Sequence, residues 1–405
     1  MRRQSHNKQM NKLDDDSVLV IPSIADKVMP EFEQDRRMMS AIQADMDSCK
    51  DLLRDAFLGN SWIETHDDSS SEESIRVVDG SSATITSGEF STLLALAVNV
   101  STGTETPLQA QYHHVCAPNS ESFGMLASPV MAAAEALALA PMNRCGYTLY
   151  DGSLQGLNMN LGNLFRTQSD SNFLGEITEY TDKLESLFKE VVDPACLPKG
   201  DDFIGKTVYS SIFNKERQDL FAISKKSTST YTFHRLKELP AIREALGGKW
   251  FAYPKSDRLL LSQILKAGEY IKPKPFKDVE LKSGSKNLLG LSDVAKKGRG
   301  RECNEEEYKK FALNFYFLFF KPAPHSPVIR VEIVSSREGL NQKVQDLLKI
   351  LTYQCSTPGL IEPYGLWLAD KLAKQVHPFK QIYGSANAIA FPELFRPNRT
   401  EEINK

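Results

Sequence analysis

Between Ile75 and Asp151 the chain lays down three strand-like runs, an alanine-rich helix and a fourth strand, an order that few folds accept. Ile75–Asp79, Glu89–Val100 and Leu108–Ala117 read as strands, the last two separated by the turn Ser101-Thr102-Gly103-Thr104. Ser128–Ala140 reads as a helix, with Ser128 as its N-cap and Pro129 at the first helical position, where a missing N–H costs nothing. Tyr147–Asp151 is then another strand. Three strands in succession form an antiparallel meander, and a helix before the fourth carries the chain over to a parallel neighbour. The expectation is an α/β protein with a mixed sheet flanked by helices.

Two of these strands end in the same tripeptide. Asp79-Gly80-Ser81 follows Ile75-Arg76-Val77-Val78, and Asp151-Gly152-Ser153 follows Tyr147-Thr148-Leu149-Tyr150. A strand that ends in Asp and then Gly delivers a carboxylate to the sheet edge and lets the backbone turn at once. The plain alternative is turn punctuation, since Asp and Gly favour turns for local backbone reasons. Glu135 weighs against that alternative, as the one charged residue in the helix Pro129–Ala140. It belongs either to a single solvated face or to a site. Asp370, in Leu366-Trp367-Leu368-Ala369-Asp370, is a second acid on an apolar helix. Asp79, Glu135, Asp151 and Asp370 thus form a candidate site for hard cations such as Mg²⁺ or Mn²⁺, which take oxygen ligands. Two such ions about 4 Å apart activate a water and stabilise the leaving oxygen of a phosphodiester.

The flanking segments organise around this block. Residues 1–17 read as a polar, disordered tail, and 18–62 as a helical segment in which Met38, Met39, Ile42, Met46, Leu52, Leu53 and Phe57 repeat near a 3.6 period over Ile24–Leu58. The main domain spans 63–395, with a short tail at 396–405. Within it, Glu176–Val192, Thr232–Leu246, Asp257–Ala267, Leu340–Gln354 and Tyr364–Val376 read as helices. Asp219–Ser224, Phe311–Phe320 and Val328–Val334 read as strands. Residues 272–301 hold nine Lys/Arg against three acids and read as a mobile basic loop, either tracking a DNA backbone or serving as a solvated linker. Lys225 and Lys226, at a strand end, are candidate phosphate contacts. Asp257 and Arg258 read as a helix cap and surface pair rather than a catalytic element.

A net charge of −3 gives no global signature of nucleic-acid binding, yet a basic groove can sit on an acidic protein. Six scattered cysteines without zinc-type spacing, no apolar signal core and no stretch of membrane-spanning length point to a reducing cytoplasm. Gly200–Thr207 spells a P-loop, but two prolines precede it where a buried strand is needed, and Asp201 and Asp202 would crowd the phosphates.

Several short motifs in order resemble the NurA nucleases. They are Val77-Val78-Asp79-Gly80-Ser81, the helix bearing Glu135, Leu149-Tyr150-Asp151-Gly152-Ser153-Leu154, Phe221-Ala222-Ile223-Ser224-Lys225, Ser256-Asp257-Arg258-Leu259-Leu260-Leu261, and Pro363-Tyr364-Gly365-Leu366-Trp367-Leu368-Ala369-Asp370-Lys371. The resemblance implies a ribonuclease H-like core, with Asp79, Glu135 and Asp151 as ligands of Mn²⁺ or Mg²⁺, and two ions. It implies 5′–3′ exonuclease and single-strand endonuclease activity in DNA end processing. It also implies a homodimer that works with a hexameric HerA-type ATPase, for which Ile24–Leu58 is a candidate contact. The pattern departs at the last helix, where Glu362 and Asp370 stand in place of a tyrosine and a histidine. That leaves the roles of Glu362, Asp370 and the candidate DNA contact Tyr364 open. A catalytically weak DNA-binding or assembly subunit is the alternative.

Overall fold

The computed structural model describes residues 22–67, 69–86, 90–102, 109–118, 121–141, 146–154, 156–157, 160–161, 186–187, 212, 217–224, 257–275, 315–357 and 359–390. Lys225, Lys226, the helices expected at 232–246 and over most of 176–192, the P-loop-like 200–207 and the basic stretch from 276 onward lie outside these residues. The chain divides into two compact units, residues 1–60 with 230–264, and residues 61–229 with 265–405.

In the first unit, α1 spans Pro22–Gly59, close to the range its apolar period predicts. Leu53 and Phe57 are buried, as the expected stripe requires. Met38 and Met39 are 56% and 61% exposed, so part of that stripe faces outward, as does Phe32, outside the stripe, at 61%. The helix expected at Asp257–Ala267 ends at Ile264, and Asp257 is fully buried in its first turn rather than part of a surface pair.

The second unit is built on a nine-stranded mixed sheet. Its strands are β1 (Ile63–Thr65), β2 (Ile75–Thr86), β3 (Phe90–Thr102), β4 (Gln109–Pro118), β5 (Tyr147–Asp151), β6 (Leu220–Ser224), β7 (Glu269–Pro275), β8 (Phe315–Phe320) and β9 (Ile329–Val334). Their spatial order is β1-β7-β8-β9-β6-β5-β2-β3-β4. The expected meander is present, with β2, β3 and β4 antiparallel, and β5 lies parallel to β2 as the intervening helix requires. β6 continues the parallel run beside β5. The start of the expected basic loop, Lys272–Pro275, is the second half of strand β7.

The helix between β4 and β5 spans Ala127–Leu139, preceded by a 3-10 turn at Glu121–Leu126. Leu126 caps it without a side-chain bond, so Ser128 lies inside the first turn instead of capping it. Ala132, Ala133, Ala134 and Ala136 are fully buried, and their small side chains let this helix lie close on β2 and β3. The opposite face carries helices Leu340–Gln354 and Tyr364–Ala373, whose Leu347, Leu348, Leu351, Leu366 and Ala369 share one core with Ile75, Val77, Leu149, Phe221 and Val331. A last helix, Val376–Ala390, follows where none was expected. We number the helices of the two units in chain order: α1, α2 (Ala127–Leu139), α3 (Asp257–Ile264), α4 (Leu340–Gln354), α5 (Tyr364–Ala373) and α6 (Val376–Ala390). Among the described residues no helix is long and apolar enough to cross a membrane.

Candidate functional site

The two aspartates meet through strand register. β2 and β5 pair in parallel as far as Val78 opposite Tyr150. Asp79 and Asp151 are the next residue on each strand, so they come level at one end of the pair. β5 stops there, while β2 runs on to Thr86 paired with β3. The result is a notch in the sheet with Asp79 at its mouth. Side chains alternate along a strand, and Val77 and Leu149 belong to the core beneath α4 and α5. Asp79 and Asp151, two residues on, take that face.

Tyr150 takes the other face and meets α2. Its hydroxyl donates to Glu135 Oε2 at 2.7 Å. Glu135 is only 4% exposed, so it lies turned inward and not on a solvated face. Burial, with the charge of Asp151 adding to it and the Tyr150 bond opposing it, raises the Glu135 carboxyl from 4.5 to about 7. Burial first, then the charge of Glu135, holds the Tyr150 hydroxyl well above its ordinary range, so it stays a donor; Asp79 and Asp151 push the same way. One phenol thus feels all three acids.

The two glycines serve this pair. A Cβ on Gly80 would lie 2.6 Å from Glu135 Oε1, and a Cβ on Gly152 would lie 2.8 Å from the Tyr150 hydroxyl. Neither glycine has a positive φ, the described glycines that do being Gly268 and Gly359. The first Asp-Gly-Ser therefore does not turn the chain, as expected, but sits inside the twelve-residue β2. Its glycine is there for space. The second does end its strand, as expected.

Glu332 is a member that sequence reading did not single out. It is fully buried on β9, opposite Ala222, which is itself opposite Tyr150. Its carboxylate accepts from Ser153 Oγ at 2.8 Å and from the Leu154 amide at 2.7 Å, tying down the turn after Asp151. Arg330 balances it at 3.0 Å. The available signal was an Arg-x-Glu pair inside the apolar run Val328–Val334, since residues two apart on a strand share a face. Glu332→Gln keeps an acceptor for the Leu154 amide but removes the charge facing Arg330. Chemical denaturation is expected to show a loss of about 2 kcal/mol; no measurable loss would mean that the charge holds nothing.

Asp370 and Tyr364 lie on α5. A Cβ on Gly365 would touch Val77 and Ile75, and Val376, just past the end of α5, clusters with Ala83 and Leu94. So α5 runs along β2 in the same direction. At ~3.3 Å per strand residue and ~1.5 Å per helix residue, the position level with Asp79 falls near residue 370. Asp370 is thus at the right height, but its carboxylate closes on Lys374 Nζ at 2.7 Å. Tyr364, at the start of α5, is exposed and stacks on Trp367.

The donor set suits a hard divalent cation in kind. All donors are carboxylate oxygens, drawn from different elements, with a buried acid held up in pKa partly by a like charge that a cation would offset. Among the described residues no three His, Cys, Asp or Glu side chains stand in ligating arrangement. Local bonds engage them instead, Asp79 Oδ1 accepting from the Gly80 amide and Glu135 Oε2 from Tyr150.

Fold and acids together define an α/β protein with an acidic, oxygen-rich notch at the end of a parallel strand pair. More narrowly, the chain belongs to the NurA family of nucleases, whose NurA domain model matches residues 73–375. The structure is similar to that of the NurA nuclease from Sulfolobus solfataricus, at 15% identity, covering 92% of this chain and 98% of that one, with a TM-score of 0.51. It is also similar to a crystal structure of NurA with manganese (13% identity, 89% and 98% covered, TM-score 0.48). A third likeness is to NurA bound to dAMP and manganese (16% identity, 83% and 92% covered, TM-score 0.44). No curated protein sequence matches the chain.

Proposed function

We propose that this protein is a divalent-metal-dependent deoxyribonuclease acting on linear ends and single strands, as an exonuclease of 5′–3′ type and a single-strand endonuclease. The observation that carries the reading is the levelling of Asp79 and Asp151 at the notch, with Glu135 buried behind Gly80. The strand order β4-β3-β2-β5-β6, with β2 central and β5 and β6 parallel to it, supports a ribonuclease H-like core.

Asp79 and Asp151 from the α5 face and Glu135 from the α2 face would hold Mn²⁺ or Mg²⁺ across the notch where β5 ends, with Asp370 as the fourth acid once it leaves Lys374, and the number of acids suits two ions. Bound metal supplies Lewis acidity and a water of lowered pKa for in-line attack on the phosphodiester. The chain's own residues do the positioning. Tyr150, protonated throughout, orients Glu135 by a donated bond, and Glu332 fixes the turn that follows Asp151. Degradation of linear DNA by the purified protein with Mn²⁺ tests the reading. Activity equal in wild type, Asp79→Ala and Asp151→Ala, with and without a HerA-type ATPase, would overturn it and leave an assembly subunit.

A HerA-type hexameric ATPase and a second copy of the chain are the proposed partners. The outward apolar residues Phe32, Met38 and Met39 of α1 support a docking role for that helix.

Glu135 also sets a pH dependence. Between its ordinary 4.5 and about 7, the folded state binds a proton that the unfolded chain has lost. The resulting stabilisation is fully present below the lower value and disappears as pH rises through the upper one. At ~1.4 kcal/mol per pKa unit it amounts to about 3 kcal/mol. Glu135→Gln is expected to flatten this part of the stability curve, and Mn²⁺ at pH 8 is expected to raise Tm in wild type more than in the variant. A wild-type Tm that does not fall between pH 5 and 8 would contradict the assignment.

A further inference from the structure

The outward face of α5 carries residues that neither the acids nor the core use. Tyr364, Trp367 and Lys371 follow one another at three- and four-residue steps and so lie on one stripe. The Tyr364 and Trp367 rings stack with centroids 6.0 Å apart and planes 26° from parallel. Lys371 Nζ stands 6.0 Å from the Trp367 centroid, over the ring. Tyr364 is 40% exposed, and Ile361, just before the helix, is 66% exposed. The cation one turn further on, Lys374, is taken by Asp370, whereas Lys371 is exposed and faces an aromatic ring.

We propose that Tyr364, Trp367 and Lys371 form a stacking rail for single-stranded DNA that leads to the notch at Asp79. The proposal rests on the nuclease reading and extends it to how substrate is selected. Flat, near-parallel rings beside a cation match a single strand, which offers free base faces and phosphates together. A duplex keeps its base faces covered by stacking. The rail also points the right way, since α5 runs along β2 from Ile75 towards Ala83. Lys371 therefore falls about level with Asp79, and Tyr364 lies some 10 Å upstream at ~1.5 Å per residue. A strand stacked on the rings would bring its next phosphates past Lys371 and round the side of α5 to the carboxylates, which lie on the sheet beneath the helix.

The test is binding by the full chain carrying Asp79→Asn, with EDTA present, to a labelled oligothymidylate and to a duplex of equal length. Trp367→Ala in that background is expected to weaken single-strand binding about ten- to a hundredfold and duplex binding less than twofold. Trp367→Phe is expected to restore most of the loss, and it is the contrast between single strand and duplex that a packing defect would not produce. Lys371→Ala is expected to reduce the slope of log K against log salt by about 0.7 on the single strand. Single-strand affinity within twofold of the parent for both Tyr364→Ala and Trp367→Ala overturns the rail, as does an equal fall on both substrates. Lost self-association with unchanged DNA affinity also overturns it and marks the stripe as a protein interface. These outcomes are separate from the nuclease reading, which stands or falls on cleavage by the protein with Asp79 and Asp151 intact.

Discussion

Asp151→Asn is expected to slow Mn²⁺-supported cleavage of linear DNA by at least about a hundredfold while leaving Tm unchanged or slightly raised. The first half follows from the metal-ligand role proposed for Asp151. Changing a residue that merely orients a metal ligand costs about 10–100-fold, so losing a ligand's charge costs at least the upper end. The second half follows from the site's own electrostatics. Asp151 is one reason the Glu135 carboxyl is held near 7. A neutral amide in its place removes repulsion from a buried acid and so should not weaken the fold. Asp79→Asn is expected to behave alike, because an amide oxygen still accepts the Gly80 N–H that Asp79 accepts. Single-turnover cleavage and calorimetry on the same samples check both halves. Cleavage within tenfold of wild type would remove Asp151 from the site. A large fall in Tm would turn it into a structural residue whose loss of activity says nothing of chemistry.

How much of this site was legible depended on whether the signal was local. β5 and α4 were readable to the residue, because turn-forming residues bound them and their periods are unambiguous. The meander and the crossover were readable because strand count and one helix restrict the topology. Gly80 misled, since a glycine after a strand usually means a turn, and only the neighbouring α2 shows that it is a space for Glu135. The first turn of α2 misled because the chain enters from a 3-10 turn, which leaves Ser128 two residues past the cap position. α6 was missed because Pro378 and Gly384 look like breakers. Pro378 sits in the first turn, where its missing N–H has no partner to lose. Glu332 was hidden for a deeper reason. Its bonds to Ser153 and Leu154 cross from β9 past β6 to the turn after β5. Such bonds depend on pairing register between strands far apart in sequence, and composition along one strand does not carry that.

Gly80→Ala should separate the two things a glycine can do in a strand. If Gly80 mattered through its backbone alone, alanine would stabilise β2 by about 0.5–1 kcal/mol, since glycine loses more freedom on folding. The geometry opposes this. The new methyl would stand 2.6 Å from Oε1, 2.7 Å from Cγ and 3.0 Å from Cδ of Glu135. A flexible carboxylate in solvent would swing aside, but Glu135 is 4% exposed and bonded to Tyr150. Moving it strands the Tyr150 hydroxyl, and the collision itself costs about 1–3 kcal/mol as overpacking. The steric effect is therefore larger, and Gly80→Ala is expected to lower stability by about 1–3 kcal/mol and to abolish cleavage with Asp79 and Asp151 both in place. The sign should reverse once the obstacle is gone. In a Glu135→Ala background the same substitution is expected to be neutral or stabilising, while activity stays lost. Urea unfolding of the four proteins in this double-mutant cycle measures the coupling directly. A coupling near zero would mean that Gly80 and Glu135 do not touch in solution. In that case Asp79-Gly80-Ser81 would revert to an ordinary strand segment, and Glu135 to a buried acid without a place at the notch.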